Sequence, residues 1–194
     1  MPLEIRVSLP ADRRNTGTLE LVDPATGLRF FGPVPALGRG ARNMSAAHGN
    51  PNGVSTQPFG DTPLGGYRIP QVLRSGAGTT HPADVYGSVG AIVLDPISGD
   101  AEVAQDNGRT GLLIHAGRQV ATPTPLPGHL RPTNGCIRIL EPDLAALIQA
   151  MRDNAFLFPG GVTVQVGPAG PAGITDEDVD DGDPPDLNGT PILP

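Results

Sequence analysis

Glycine and proline interrupt this chain so often, at 27 and 23 of its 194 residues, that long helices are disfavoured and many short strands are expected. The length suits one domain with a sizeable core, or a domain carrying an appendage. With no tryptophan and only 4% aromatic residues, that core must be mainly aliphatic.

The apolar pattern agrees with this. Leu3, Ile5, Val7 and Leu9 alternate with polar residues and predict a half-buried strand. Thr18 to Val22 and Leu28 to Phe31 predict a hairpin around Asp23-Pro24-Ala25-Thr26-Gly27, where proline presets φ and glycine permits a positive one. Residues 32–59 show little periodicity and read as a long irregular segment. A short strand is expected at Tyr67 to Ile69, and a second hairpin between Ala91 to Leu94 and Ala101 to Ala104. Leu112 to His115 and Ile137 to Leu140 predict strands, and Val162, Val164 and Val166 a last one. Leu144, Leu147, Ile148 and Met151 recur at the helical period after Glu141-Pro142-Asp143, whose proline and acids suit a helix start. The loop from Ala116 to Pro132 holds Pro123, Pro125, Pro127 and Pro132, which makes it stiff.

Charge divides the chain. Seven of the 20 acids lie between Asp176 and Asp186, and no arginine follows Arg152; the remaining thirteen acids balance the thirteen arginines. The reading is therefore a neutral body, 1–167, and an acidic Pro/Gly-rich tail, 168–194, too poor in apolar residues to fold. A neutral body with an acidic tail excludes a nucleic-acid partner. No run approaches bilayer length, so no membrane span is expected, and the N-terminal residues do not form a signal peptide.

No lysine is present, which excludes Schiff-base chemistry and a P-loop lysine. No HExxH or CxxC spacing supports a zinc site, and no metal or cofactor is expected. What remains is Cys136, the sole cysteine, following Gly135 at the start of a strand, and His115, closing the apolar run Leu112-Leu113-Ile114. On neighbouring strand ends these two make an activated nucleophile, with the imidazole taking the thiol proton. A buried inert cysteine and a structural histidine are the alternative. In extended chain Arg138 projects to the same side as Cys136, to grip a carboxylate or brace the site. His129 is a further histidine in the proline-rich loop; His48 and His81 are weaker candidates.

The blocks Thr62-Pro63-Leu64-Gly65-Gly66-Tyr67, His115-Ala116-Gly117 and Thr133-Asn134-Gly135-Cys136-Ile137-Arg138, in this order, resemble the L,D-transpeptidase (YkuD-type) catalytic domain. The resemblance spans about residues 15 to 167. Asn134 stands where that family often has histidine, and Ala116 where glycine or serine often follows the catalytic histidine.

The fold it implies is a mostly β sandwich with one or two short helices, followed by the disordered tail. The activity it implies is cysteine acyl transfer on peptidoglycan tetrapeptide stems, as L,D-transpeptidase or, with water as acceptor, L,D-carboxypeptidase. Cys136 and His115 are then catalytic, the Ala116 carbonyl orients the ring, and the N–H of Cys136, with that of Gly135 or a neighbour, forms the oxyanion hole. Arg138, Thr133, Asn134 and Tyr67 are the expected substrate contacts. A silent wall-binding module is the rival reading. Sortase fits less well, because its arginine comes from a separate strand. Action in the periplasm or cell wall implies a leader omitted from the chain or export by another route, as for an interbacterial effector with secretion machinery or an immunity protein as partner.

Overall fold

The computed structural model describes residues 2–76, 78–117, 130–156 and 160–169. In chain order its elements are β1 (Leu3–Leu9), β2 (Gly17–Val22), β3 (Arg29–Ala36), α1 (Arg42–Ala47), β4 (Gly65–Arg68), β5 (Val72–Leu73), α2 (Ala83–Tyr86), β6 (Ala91–Val93), β7 (Asp95–Ser98), α3 (Asp100–Asp106), β8 (Leu113–His115), β9 (Ile137–Arg138), α4 (Glu141–Asn154) and β10 (Val162–Pro168). They form two sheets, as the sandwich expectation requires: β3-β2-β1-β10-β4-β7 and β5-β6-β8-β9.

Alternation places the core. In the larger sheet Leu21, Ile5, Val164 and Tyr67 stand in register across four strands, and all are buried. In the smaller sheet Ile92, Ile114 and Ile137 make an equivalent row across three. The two rows belong to one buried cluster, joined by Leu144, Leu147 and Ile148 of α4. Burying each such side chain contributes about 1.5–3 kcal/mol before entropy is counted. α4 packs on β2 and β3.

The first hairpin is as read, and β3 continues through Pro33 and Pro35 to Ala36. Those prolines are tolerated because β3 is an edge strand, where missing donors interrupt no ladder. The expected irregular segment thus begins with strand and includes α1, whose Ser45 is buried and donates to the Ala41 and Phe59 carbonyls.

The second expected hairpin is overturned. After β6 the chain leaves the smaller sheet, joins the edge of the larger one as β7, and Ala101 to Ala104 fall in α3. Four residues of Ala-Glu-Val-Ala fit either period, and Asp100 and Glu102 at the positive end of the dipole favour the helix. Ala101 and Ala104, three apart, are its buried contacts.

The sheets are also joined at Leu37, which follows β3 and exchanges two backbone hydrogen bonds of 2.9 Å with Arg138. The ordered body extends past the expected boundary, since Pro168 pairs with Leu9 and the Ala169 N–H donates to the Leu9 carbonyl. The tail from 170 and most of the proline-rich loop, with His129, lie outside the described residues. Among the described residues no helix is long and apolar enough to cross a membrane.

Candidate active site

β8 and β9 are parallel, with Ile114 opposite Ile137 and His115 opposite Arg138. Since Ile114 and Ile137 enter the core, His115 and Arg138 occupy the other face of the sheet. Continued by one residue, this register sets Cys136 beside Leu113, on the face of His115. The Leu113 backbone N–H favours the ionised form of the sulfur beside it. Cys136 and His115 are thus diagonal neighbours on adjacent strands, about 8 Å apart at Cα from strand spacing and rise. An imidazole and a thiol reaching along the sheet surface can bridge that gap.

His115 is 2% exposed, and its Nδ1 lies 2.7 Å from the Ala116 carbonyl oxygen. A carbonyl can only accept, so Nδ1 carries the hydrogen and the neutral ring keeps its lone pair on Nε2. Tyr86 supports the ring, with centroids 5.1 Å apart, and its carbonyl accepts from the Ala116 N–H at 3.1 Å. The Ala116 carbonyl is thus the hydrogen-bond partner of the ring nitrogen Nδ1.

Cys136 is half-buried, and its thiol donates weakly to the Gly111 carbonyl at 3.7 Å. Burial pushes the thiol above its ordinary value; the Leu113 N–H, Arg109 and Arg138 oppose that shift. At neutral pH the resting group is consequently the thiol rather than a preformed thiolate.

The turn before the cysteine is held from several sides. The Thr133 hydroxyl accepts from the Gly135 N–H and donates to the Cys136 carbonyl, both at 2.9 Å. Gly135, at φ 104, turns its carbonyl toward the Thr62 hydroxyl at 2.9 Å and Arg109 Nη2 at 3.3 Å. Its N–H is thereby unavailable to an oxyanion. The Cys136 N–H has no backbone acceptor among the described residues.

Three of the expected substrate contacts are buried. Tyr67 is fully buried and donates to the Pro63 carbonyl at 2.7 Å, so it braces the Thr62-Pro63 turn. Thr133 is buried inside its own turn. Arg138 is 2% exposed and donates to the Arg131 carbonyl at 3.1 Å, which favours bracing over carboxylate capture. Asn134 is exposed at the rim and remains a contact candidate. His48 stacks on Phe59 at 3.7 Å, and His81 meets the edge of Tyr86 at 5.0 Å.

Arg109 was not singled out in the sequence. It is 3% exposed and donates to the carbonyls of Ser55, Gln57, Gly60, Asp61 and Gly135. A cleft of about 200 Å³ opens beside Arg109, with Gly111, Val93, Asp95 and Pro70 among its walls. Among the described residues no group of three or more His, Cys, Asp or Glu side chains is placed to hold a metal ion.

No protein-family model and no curated protein matches this chain. Among solved structures it is similar to the helical cell shape determining protein Pgp2 from Campylobacter jejuni, at 15% identity and TM-score 0.45, over 90% of this chain and 51% of that one. A single-substitution mutant of Pgp2 aligns at 16% identity and TM-score 0.49, over 90% and 50%. The chain spans about half the length of these proteins. The likeness is too slight to speak for the chemistry, which rests on this chain's own residues.

Proposed function

We propose that this protein is a cysteine acyltransferase acting on peptidoglycan stem peptides. The observation that carries the reading is the hydrogen bond from His115 Nδ1 to the Ala116 carbonyl, which leaves Nε2 as the basic nitrogen on the sheet face that also carries Cys136. The motif resemblance supplies the substrate class.

In the proposed reaction the thiol hydrogen leaves its weak bond with the Gly111 carbonyl and passes to His115 Nε2 as sulfur attacks. The electrophile is the carbonyl at the L-centre of diaminopimelate, before the terminal D-alanine. Negative charge collects on the carbonyl oxygen, toward the Cys136 N–H. Collapse breaks the C–N bond, the imidazolium returns its proton to the leaving D-alanine amine, and a thioester remains on Cys136. An acceptor amine then displaces sulfur, giving a cross-link or an exchanged D-amino acid. Water as acceptor gives the carboxypeptidase product.

Mass spectrometry of muropeptides incubated with the wild type and with Cys136→Ala tests the reading. Loss of terminal D-alanine, with or without new cross-links, is expected from the wild type only. Identical muropeptide profiles from wild type and buffer would favour the silent wall-binding module.

A further inference from the structure

The Arg109 guanidinium is buried, yet all five of its hydrogen-bond acceptors are neutral main-chain carbonyls, those of Ser55, Gln57, Gly60, Asp61 and Gly135. The Asp61 carboxylate is committed elsewhere: its two oxygens pair with Arg42 at 2.9 Å each, and it also accepts from the Gly40 N–H. A cation withdrawn from water whose hydrogen bonds all go to carbonyl dipoles is costly to keep. It repays that cost where an anion forms beside it.

Such an anion would form one residue away from its contact with Gly135. The guanidinium lies so close to this turn that a Cβ added to Gly135 would sit 1.8 Å from Nη2. The same head group fixes residues 55 to 61, a loop in which Asn50 clasps the Val54 N–H and the carbonyls of Val54 and Pro58. Arg109 therefore connects a pinned loop, the glycine turn and the cysteine.

We infer that Arg109 is a positioning residue of the reaction: it fixes the Gly135-Cys136 turn and lends the Cys136 thiolate its counter-charge. This rests on Cys136 acting as the nucleophile. Among the described residues, the other titratable or charged groups near the sulfur are His115 from β8 and Arg138 from β9. Asp61 and Tyr67 also interact with the Arg109 charge.

The test is the pH dependence of Cys136 alkylation by iodoacetamide in the full chain, with circular dichroism melts to follow folding. In Arg109→Met the midpoint is expected to move to higher pH, with the plateau kept, and the rate near pH 8 to fall at least about tenfold, the scale of removing an adjoining buried cation. Arg109→Lys, which keeps the charge without the fork, is expected to restore the midpoint in part. If Arg109→Met does not fold, Arg109→Gln, which keeps a donor for the carbonyls, takes its place and is expected to show the same upward midpoint. An unchanged midpoint in a folded neutral variant would overturn the inference, and so would failure of both neutral variants to fold, which would make the role structural. Alkylation needs no peptidoglycan. A wild type that alkylates as described but leaves muropeptides untouched would sink the proposed reaction and not the role of Arg109.

Discussion

Replacing Gly135 by alanine tests the turn that carries the nucleophile. At φ 104 an L side chain is strained, at a cost of about 1–3 kcal/mol. The added Cβ would also lie 2.3 Å from the Gly60 carbonyl oxygen and 1.8 Å from Arg109 Nη2. The carbonyl cannot retreat cheaply, because Arg109 holds it at 2.8 Å within a loop that Asn50 also clasps. Moving the guanidinium instead breaks its bonds to Gly60 and Gly135, and a hydrogen bond from a charged donor is worth about 1.5–3 kcal/mol. Together these give about 4–9 kcal/mol, a large share of the 5–15 kcal/mol typical of a whole domain. Urea denaturation followed by circular dichroism measures the loss. A variant within about 1 kcal/mol of the wild type would refute this account of the turn.

Three further outcomes are expected. Thr62→Val preserves shape but removes the donor to the Gly135 carbonyl, so stability should fall by about 1–2 kcal/mol in urea unfolding and muropeptide turnover should fall with it. The Tyr67 phenol is pushed above its ordinary value near 10 by burial, so folding favours the protonated form. Stability should accordingly be intact below about pH 10 and decline above it, and Tyr67→Phe should show less of this alkaline decline in pH-dependent melts. Because burial also raises the Cys136 thiol, alkylation by iodoacetamide should keep rising with pH beyond about 8; a plateau near neutrality would indicate a preformed thiolate.

Period-2 strands were legible because their burial is one-sided: Leu3 to Leu9 and Val162 to Val166 show the alternation that their sheet imposes. The long apolar stripe of α4 was equally plain, having turns enough to establish a period. Ala101 to Ala104 was misread because a segment that short fits two periods, and contacts with neighbouring elements decide between them. In the site, Cys136 and His115 were visible through residue type and local motif, and the Ala116 carbonyl followed from adjacency. Arg109 was not, since its acceptors are backbone atoms up to 54 positions away and leave no trace in residue type. Thr62 was noted only as part of a turn, although it closes on Gly135 across 73 positions. Tyr67, Thr133 and Arg138 belong to the motif blocks yet are buried, a distinction that depends on tertiary packing.

The central claim is that Cys136 forms a thioester with a peptidoglycan stem. Intact-protein mass spectrometry after acid quenching of a brief incubation with disaccharide tetrapeptide reads it directly. The predicted result is a mass gain on the wild type equal to the donor less D-alanine, absent from Cys136→Ala and strongly reduced in His115→Ala. Release of D-alanine by Cys136→Ala at the wild-type rate, with no adduct on either protein, would contradict it.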